Sequence, residues 1–153
     1  TKQNPKIMLA PIVSGSFWLQ FPGFQDPKNP FSDKRVRQAV SLAVDRKAIN
    51  DAESGGMGRV GGNWINDDVE YALEWPEWEF NIAKAKDLMA QAGHPNGVNV
   101  DWLTVLPPFF SRGERVISQL KAIGIQTRLQ TMERGVYLKT RETEQRIAEL
   151  KRR

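Results

Sequence analysis

Apolar and polar positions alternate over residues 16–21. Phe17, Leu19 and Phe21 fall on one face and Ser16, Trp18 and Gln20 on the other, a period of two that predicts a strand. Three prolines and a glycine between Pro22 and Pro30 predict a loop. Beyond it Val36, Ala39, Val40, Ala43 and Val44 recur with the spacing of an amphipathic helix. Ser32 is the expected N-cap, and Asp33 suits the positive end of the helix. Asp45 is placed to cap a second short helix carrying Ala48, Ile49 and Ala52, ended by Gly55-Gly56. A third helix on Ile82, Ala85, Leu88, Met89 and Ala92 runs from Asn81 to Gly93, and His94-Pro95-Asn96-Gly97 follows as a turn.

The next segment carries the clearest supersecondary pattern. Val98–Leu106 reads as a strand, and Ser111-Arg112-Gly113-Glu114 has the form of a capping box. Val116, Ile117, Leu120 and Ile123 then make a buried helical stripe, Gly124 stops it, and Ile125, Thr127 and Leu129 alternate as a second strand. Strand, helix and strand in this order predict a βαβ unit with parallel strands and a right-handed crossover. A last helix from Arg134 carries Val136, Thr140, Thr143, Ile147 and Leu150 on one stripe. The predicted fold class is α/β, a mixed sheet with a βαβ unit and flanking helices, with residues 16–21 joining the sheet. Residues 55–80 stay irregular; five of the eight residues 55–62 are glycine, and Trp64, Trp75 and Trp78 follow. A loop this long in a compact domain suggests a functional or partner-covered segment.

Composition bounds the function classes. The chain has 153 residues, 40% of them hydrophobic, enough for one domain with a core. No apolar stretch approaches the ~20 residues of a membrane-spanning helix. With no Cys, disulfides, thiolate chemistry and Cys-ligated zinc are excluded, and one His leaves no His-based metal cluster or Ser-His-Asp triad. Net charge is only +4, and residues 133–153 hold seven basic and four acidic residues, so most of the excess sits in the last helix. The remainder is nearly neutral, which argues against a nucleic-acid surface. Thr1–Leu9 lacks the features of a signal peptide, so the expectation is a protein that is not exported, or a mature or partial chain.

Each chemical motif has a plainer reading. Gly56-Met57-Gly58-Arg59-Val60-Gly61 matches G-x-G-x-x-G, but a helix precedes it where the dinucleotide fingerprint needs a strand, so it reads as a glycine loop. His94 sits in a turn. Asp67, Asp68, Glu70, Glu74, Glu77 and Glu79 lack calcium-loop spacing and read as solvated carboxylates. The loop tryptophans either cover the domain or line a site. Ligands of open α/β sheets gather outside the carboxyl ends of strands. That edge holds Leu106, Pro108 and Phe109, with Arg112 in the first turn of the next helix and Trp64 within reach on the long loop. Backbone N–H groups at the helix start and the Arg112 charge favour an anion there; the alternative is an ordinary exposed arginine.

The run Asn29-Pro30-Phe31-Ser32-Asp33-Lys34-Arg35-Val36-Arg37-Gln38-Ala39-Val40, followed by Ala43-Val44-Asp45-Arg46-Lys47-Ala48-Ile49, resembles a signature of the family 5 extracellular solute-binding proteins, the receptors of peptide, dipeptide and nickel ABC importers. Ala83–Gly97, a helix ending in Ala-Gly before His94-Pro95-Asn96-Gly97, resembles the family's second segment, with His94 in place of the usual aromatic. Ile123-Gly124-Ile125 and Tyr137-Leu138 resemble a third. The resemblance covers residues 16–140, and residues 141–153 match nothing expected there. It implies an incomplete lobe of a periplasmic-binding-protein-like clamshell, residues 1–133 being part of the lobe and residues 134–153 a basic C-terminal helix. It further implies a non-catalytic, cofactor-free receptor, periplasmic or extracellular and lipoprotein-anchored. Its expected partners are a peptide or other small solute, an inner-membrane ABC permease and a missing N-terminal lobe, without nucleic acid. The rival reading is a stand-alone structural remnant that self-associates through residues 134–153, and a hydrolase is a weaker third. Within the family reading the ligand-binding candidates are Trp64, Leu106, Pro108, Phe109 and Arg112.

Overall fold

The computed structural model describes residue 17 and residues 19–61, 70–71 and 78–150. They fall into two compact units, one formed by Gly23–Asp45 with the chain from Phe80 onward, the other by Arg46–Glu79 with residues up to Pro22.

In the larger unit, helix α1 (Lys34–Ala43) buries Val36, Ala39, Val40 and Ala43, the stripe its periodicity predicts. Its cap differs from expectation. Asp33, not Ser32, is the N-cap, its carboxylate accepting the Arg35 N–H at 2.7 Å. Ser32 is used up in a short 3-10 turn (Pro30–Ser32) that Asn29 caps, which delays the helix by one residue. The Arg35 guanidinium returns to Asp33 at 2.6 Å, and with the Arg35 N–H it holds the Asp33 carboxyl down from 3.8 to about 2. Arg35 also donates to the carbonyl of Gln91 at 2.6 Å. Arg37 donates to the carbonyls of Phe31 (2.6 Å) and Ser32 (2.9 Å) and lies over the Phe24 ring. These are scaffold contacts.

Helix α3 (Ile82–Gln91) packs on α1; the labels follow chain order, α2 being described with the second unit. Asn81 caps α3 by accepting the Lys84 N–H, as its position predicts. The Asn81 N–H donates to Leu42 near the end of α1, and Arg35 near its start reaches Gln91, so the two helices run antiparallel. At the far end of α3, Gly93 N–H meets Ala90 and His94 N–H meets Met89, the Schellman pattern. Gly93 has φ +86°, which a residue without Cβ adopts at no steric cost.

Strand β1 (Val98–Val105), helix α4 (Phe110–Lys121) and strand β2 (Ile125–Thr131) form the predicted βαβ unit. The strands are parallel and in register from Val98 opposite Ile125 to Val105 opposite Thr131, with an irregularity between Asn99 and Trp102. The sheet described has these two strands alone. Residues 17 and 19–21 are not assigned to a strand, and residues 16 and 18 of the predicted strand lie outside the described residues; alternation supplies a face, but a strand also needs a ladder. The side chain of Phe17 is 55% exposed. The Ser111 capping box is also absent. A turn closed by Phe109 N–H to the Leu106 carbonyl starts α4 at Phe110, with Phe109 as an N-cap lacking a side-chain bond, so Ser111 comes too late to cap.

Val116, Ile117, Leu120, Ile123 and Ile125 join Ala85, Met89 and the α1 stripe in one core. At ~25 cal/mol per Å2 such burial is the main stabilising term. Gln119 accepts the Asp45 N–H at 3.0 Å, tying the end of α1 to α4. Helix α5 (Arg134–Leu150) starts where expected and exposes Val136 and Leu138.

In the second unit α2 (Arg46–Ser54) follows Asp45 directly and ends at Gly55-Gly56. The glycine loop after it is held rather than open: Asn50 donates to the Gly58 carbonyl at 2.9 Å and accepts its N–H at 3.0 Å. Arg46 lies 4.6 Å from the ring centre of Trp78, and burial lowers its proton affinity. Trp64 and Trp75 lie outside the described residues. Among the described residues no helix is long and apolar enough to cross a membrane.

Candidate functional site

The carboxyl ends of β1 and β2 finish together, the Met132 N–H donating to the Val105 carbonyl at 3.2 Å. From there the chain turns through Leu106-Pro107-Pro108-Phe109, with a cis bond between the prolines, into α4. Leu106, Phe109 and Arg112 are half-buried and Pro108 is exposed. Arg112 stacks on Phe109, its guanidinium carbon 5.5 Å from the ring centre. The structure thus brings together four of the five residues expected at this edge; Trp64 lies outside the described residues.

Gly113, a buried residue in the first half of α4, lets the helix approach the sheet closely. A Cβ there would stand 2.5 Å from Val105 Cγ2 and 2.7 Å from Leu129 Cδ1. Its signal was visible in the sequence: a buried glycine inside a helix weakens that helix unless close packing requires it.

At this edge the start of α4 carries positive character, and Glu133, which follows β2, adds one carboxylate turned to the Gly135 N–H. The first-turn N–H groups of α4 carry the positive end of the helix dipole, and that turn contains no acidic side chain. Arg112 adds a full positive charge at the helix end where a cation is disfavoured, so an arriving anion relieves a local like-charge arrangement. A carboxylate is the matching chemistry, since guanidinium binds it bidentately.

The other candidates separate from it. His94 is half-buried in the turn that closes α3, where its N–H serves the Schellman pattern. Glu70 and Glu79 are exposed, while Asp67, Asp68, Glu74 and Glu77 fall outside the described residues. Among the described residues no three acidic or His side chains are grouped to hold a metal. A shallow groove of about 330 Å3 lies at the opposite, amino ends of the strands, lined by Lys86, Met89, Asn96, Gly97, Ile123 and Gly124. Arg112 is not part of its lining.

Comparison with known proteins agrees with this architecture. The heme-binding protein A of Haemophilus influenzae is 31% identical over 145 residues, covering 90% of this chain and 26% of that protein. A dipeptide-binding protein of Escherichia coli is 33% identical over 125 residues, covering 73% of this chain and 22% of its own length. The solved structure of HbpA2 from Haemophilus parasuis superposes with a TM-score of 0.66 at 36% identity, over 74% of this chain and 24% of that one. The chain therefore spans about a quarter of the length of these relatives. The profile of one family, "Bacterial extracellular solute-binding proteins, family 5 Middle", matches residues 1–148, and the chain belongs to that family.

Proposed function

We propose that this chain is part of the ligand-binding component of an ABC-type importer, and that the carboxyl edge of its βαβ unit receives the carboxylate of a peptide-like solute. In this reading residues 1–133 are part of one lobe and residues 134–153 extend from it. The lobe closes with a partner lobe over the solute, and the closed form is presented to a membrane permease. The process is one of capture and release without bond making. The working place is outside the cytoplasmic membrane, in the periplasm or anchored to the outer surface as a lipoprotein. A dipeptide-binding and a heme-binding relative both suit it, because peptides and heme carry carboxylates.

The single observation that carries the reading is the half-buried Arg112 stacked on Phe109, at an acid-free helix start beside the strand ends. Leu106 and Pro108 supply apolar surface next to it, and Trp64 is the fifth residue of the candidate set. A charge-assisted contact of this kind contributes about 1.5–3 kcal/mol, roughly ten- to a hundredfold in affinity. In the full-length receptor, Arg112→Ala is expected to weaken binding of a free-acid peptide by about that factor, measured by calorimetry, with little change in melting temperature. The loss should shrink for the C-terminally amidated peptide. Equal losses for acid and amide would remove the carboxylate from this edge.

A further inference from the structure

The turn between α3 and β1 contains the chain's single Asn-Gly pair, Asn96-Gly97. Asparagine followed by glycine is the sequence most prone to spontaneous deamidation, because no side chain on the following residue hinders its backbone nitrogen. Asn96 is exposed and lies on the rim of the groove at the amino ends of the strands. Nothing in the proposed solute site uses it.

The backbone around this pair is held on both sides. Gly97 N–H donates to the His94 carbonyl at 3.0 Å, closing the turn, and the next N–H, of Val98, donates to the Gly124 carbonyl at 3.0 Å. Gly97 has φ +85° and presses against the Gly124 backbone so closely that a Cβ would overlap the Gly124 carbonyl. The nitrogen that deamidation needs is therefore engaged as a donor, and on its Cα side Gly97 is in close backbone contact with Gly124.

We infer that Asn96-Gly97 is a self-modification site gated by the fold, cyclising when the His94–Gly97 turn opens. In the reaction the Gly97 nitrogen loses its proton and bonds to Asn96 Cγ, while the Cγ–Nδ2 bond breaks and ammonia leaves. The resulting succinimide adds water at either carbonyl, giving aspartate or isoaspartate at position 96. The isoaspartyl product lengthens the main chain by one methylene just before the Gly97–Gly124 contact. That contact sets the first register pair of the sheet, Val98 opposite Ile125. Modification thus acts on the packing of the two strands as well as on surface charge.

The test is a deamidation time course on the 153-residue chain at mildly alkaline pH, read by peptide mapping that separates aspartate from isoaspartate. One sample is kept folded and one unfolded in urea, with hydrogen exchange of the Gly97 amide followed in the folded sample. Expected are a slowly exchanging Gly97 amide and a rate at residue 96 at least about tenfold lower in the folded chain, since an opening free energy of only ~1.4 kcal/mol suffices for that factor. Purified isoaspartyl-96 chain should melt several degrees below Asn96→Asp, which carries the same charge on a normal backbone. Equal rates folded and unfolded would overturn the gating, and no modification in urea would overturn the site. An isoaspartyl chain melting with Asn96→Asp would overturn the link to strand packing.

Discussion

At the scale of single residues, two side chains make opposite kinds of statement. Thr127 on β2 has a buried hydroxyl oxygen with no hydrogen-bond partner, opposite the stretch where β1 is irregular. An unpaired buried hydroxyl costs free energy that a methyl group does not. Thr127→Val is expected to leave stability unchanged or raise it by up to about 1 kcal/mol in a urea titration. A clear loss would mean that the hydroxyl has a partner. Asp33 is the reverse case, well partnered, first by the Arg35 guanidinium and then by the Arg35 N–H. Its folded-state value of about 2 lies below the ordinary 3.8, so its contribution is complete above ordinary carboxylate titration and is lost as pH falls through about 2. The stability gap between the native chain and Asp33→Asn is expected to be constant above pH ~5 and to close toward pH ~2. A gap independent of pH over that interval would contradict the pairing.

At the scale of elements, the seating of α4 decides where the proposed site lies. Val116, Ile117 and Leu120 give the helix its buried stripe, and Gly113 lets its first half approach Val105 and Leu129. Gly113→Ala sets the gain in helix propensity against this overlap, and the overlap wins because the Val105 methyl at 2.5 Å belongs to a β-branched side chain with little rotamer freedom. A loss of about 1–3 kcal/mol is expected in chemical denaturation. A stabilised variant would show that the helix has room to move away from the sheet.

At the scale of the whole molecule, a chain covering about a quarter of its relatives' length exposes apolar side chains. Phe17, Met57 and Tyr71 are 55%, 67% and 90% exposed in one unit, and Phe24, Phe80, Val136 and Leu138 are exposed in the other. Exposed apolar surface of this kind favours association. Light scattering on the 153-residue chain at micromolar concentration is expected to report particles larger than a monomer, and a strictly monomeric profile would contradict this.

Periodicity and local chemistry decided most of the fold. The stripes of α1, α3 and α4 repeat in the sequence because the residues a helix buries must return every three or four positions, and the Asn81 cap and the Gly93 stop are local bonds. The parallel βαβ unit follows for the same reason, as does the approximate location of Leu106, Pro108, Phe109 and Arg112. What depended on neighbours distant in sequence was not legible. The alternation at 16–21 promised a strand, but a strand exists only with a ladder partner, which the segment itself cannot supply. Ser32 and Ser111 had the right chemistry to cap, yet a short 3-10 turn and the turn from Leu106 shifted both helix starts. The Arg112–Phe109 stack, the close fit at Gly113 and the Gly97–Gly124 contact were settled only when the βαβ unit closed. They depend on distances between segments, and sequence periodicity specifies which residues face inward without specifying what they meet there.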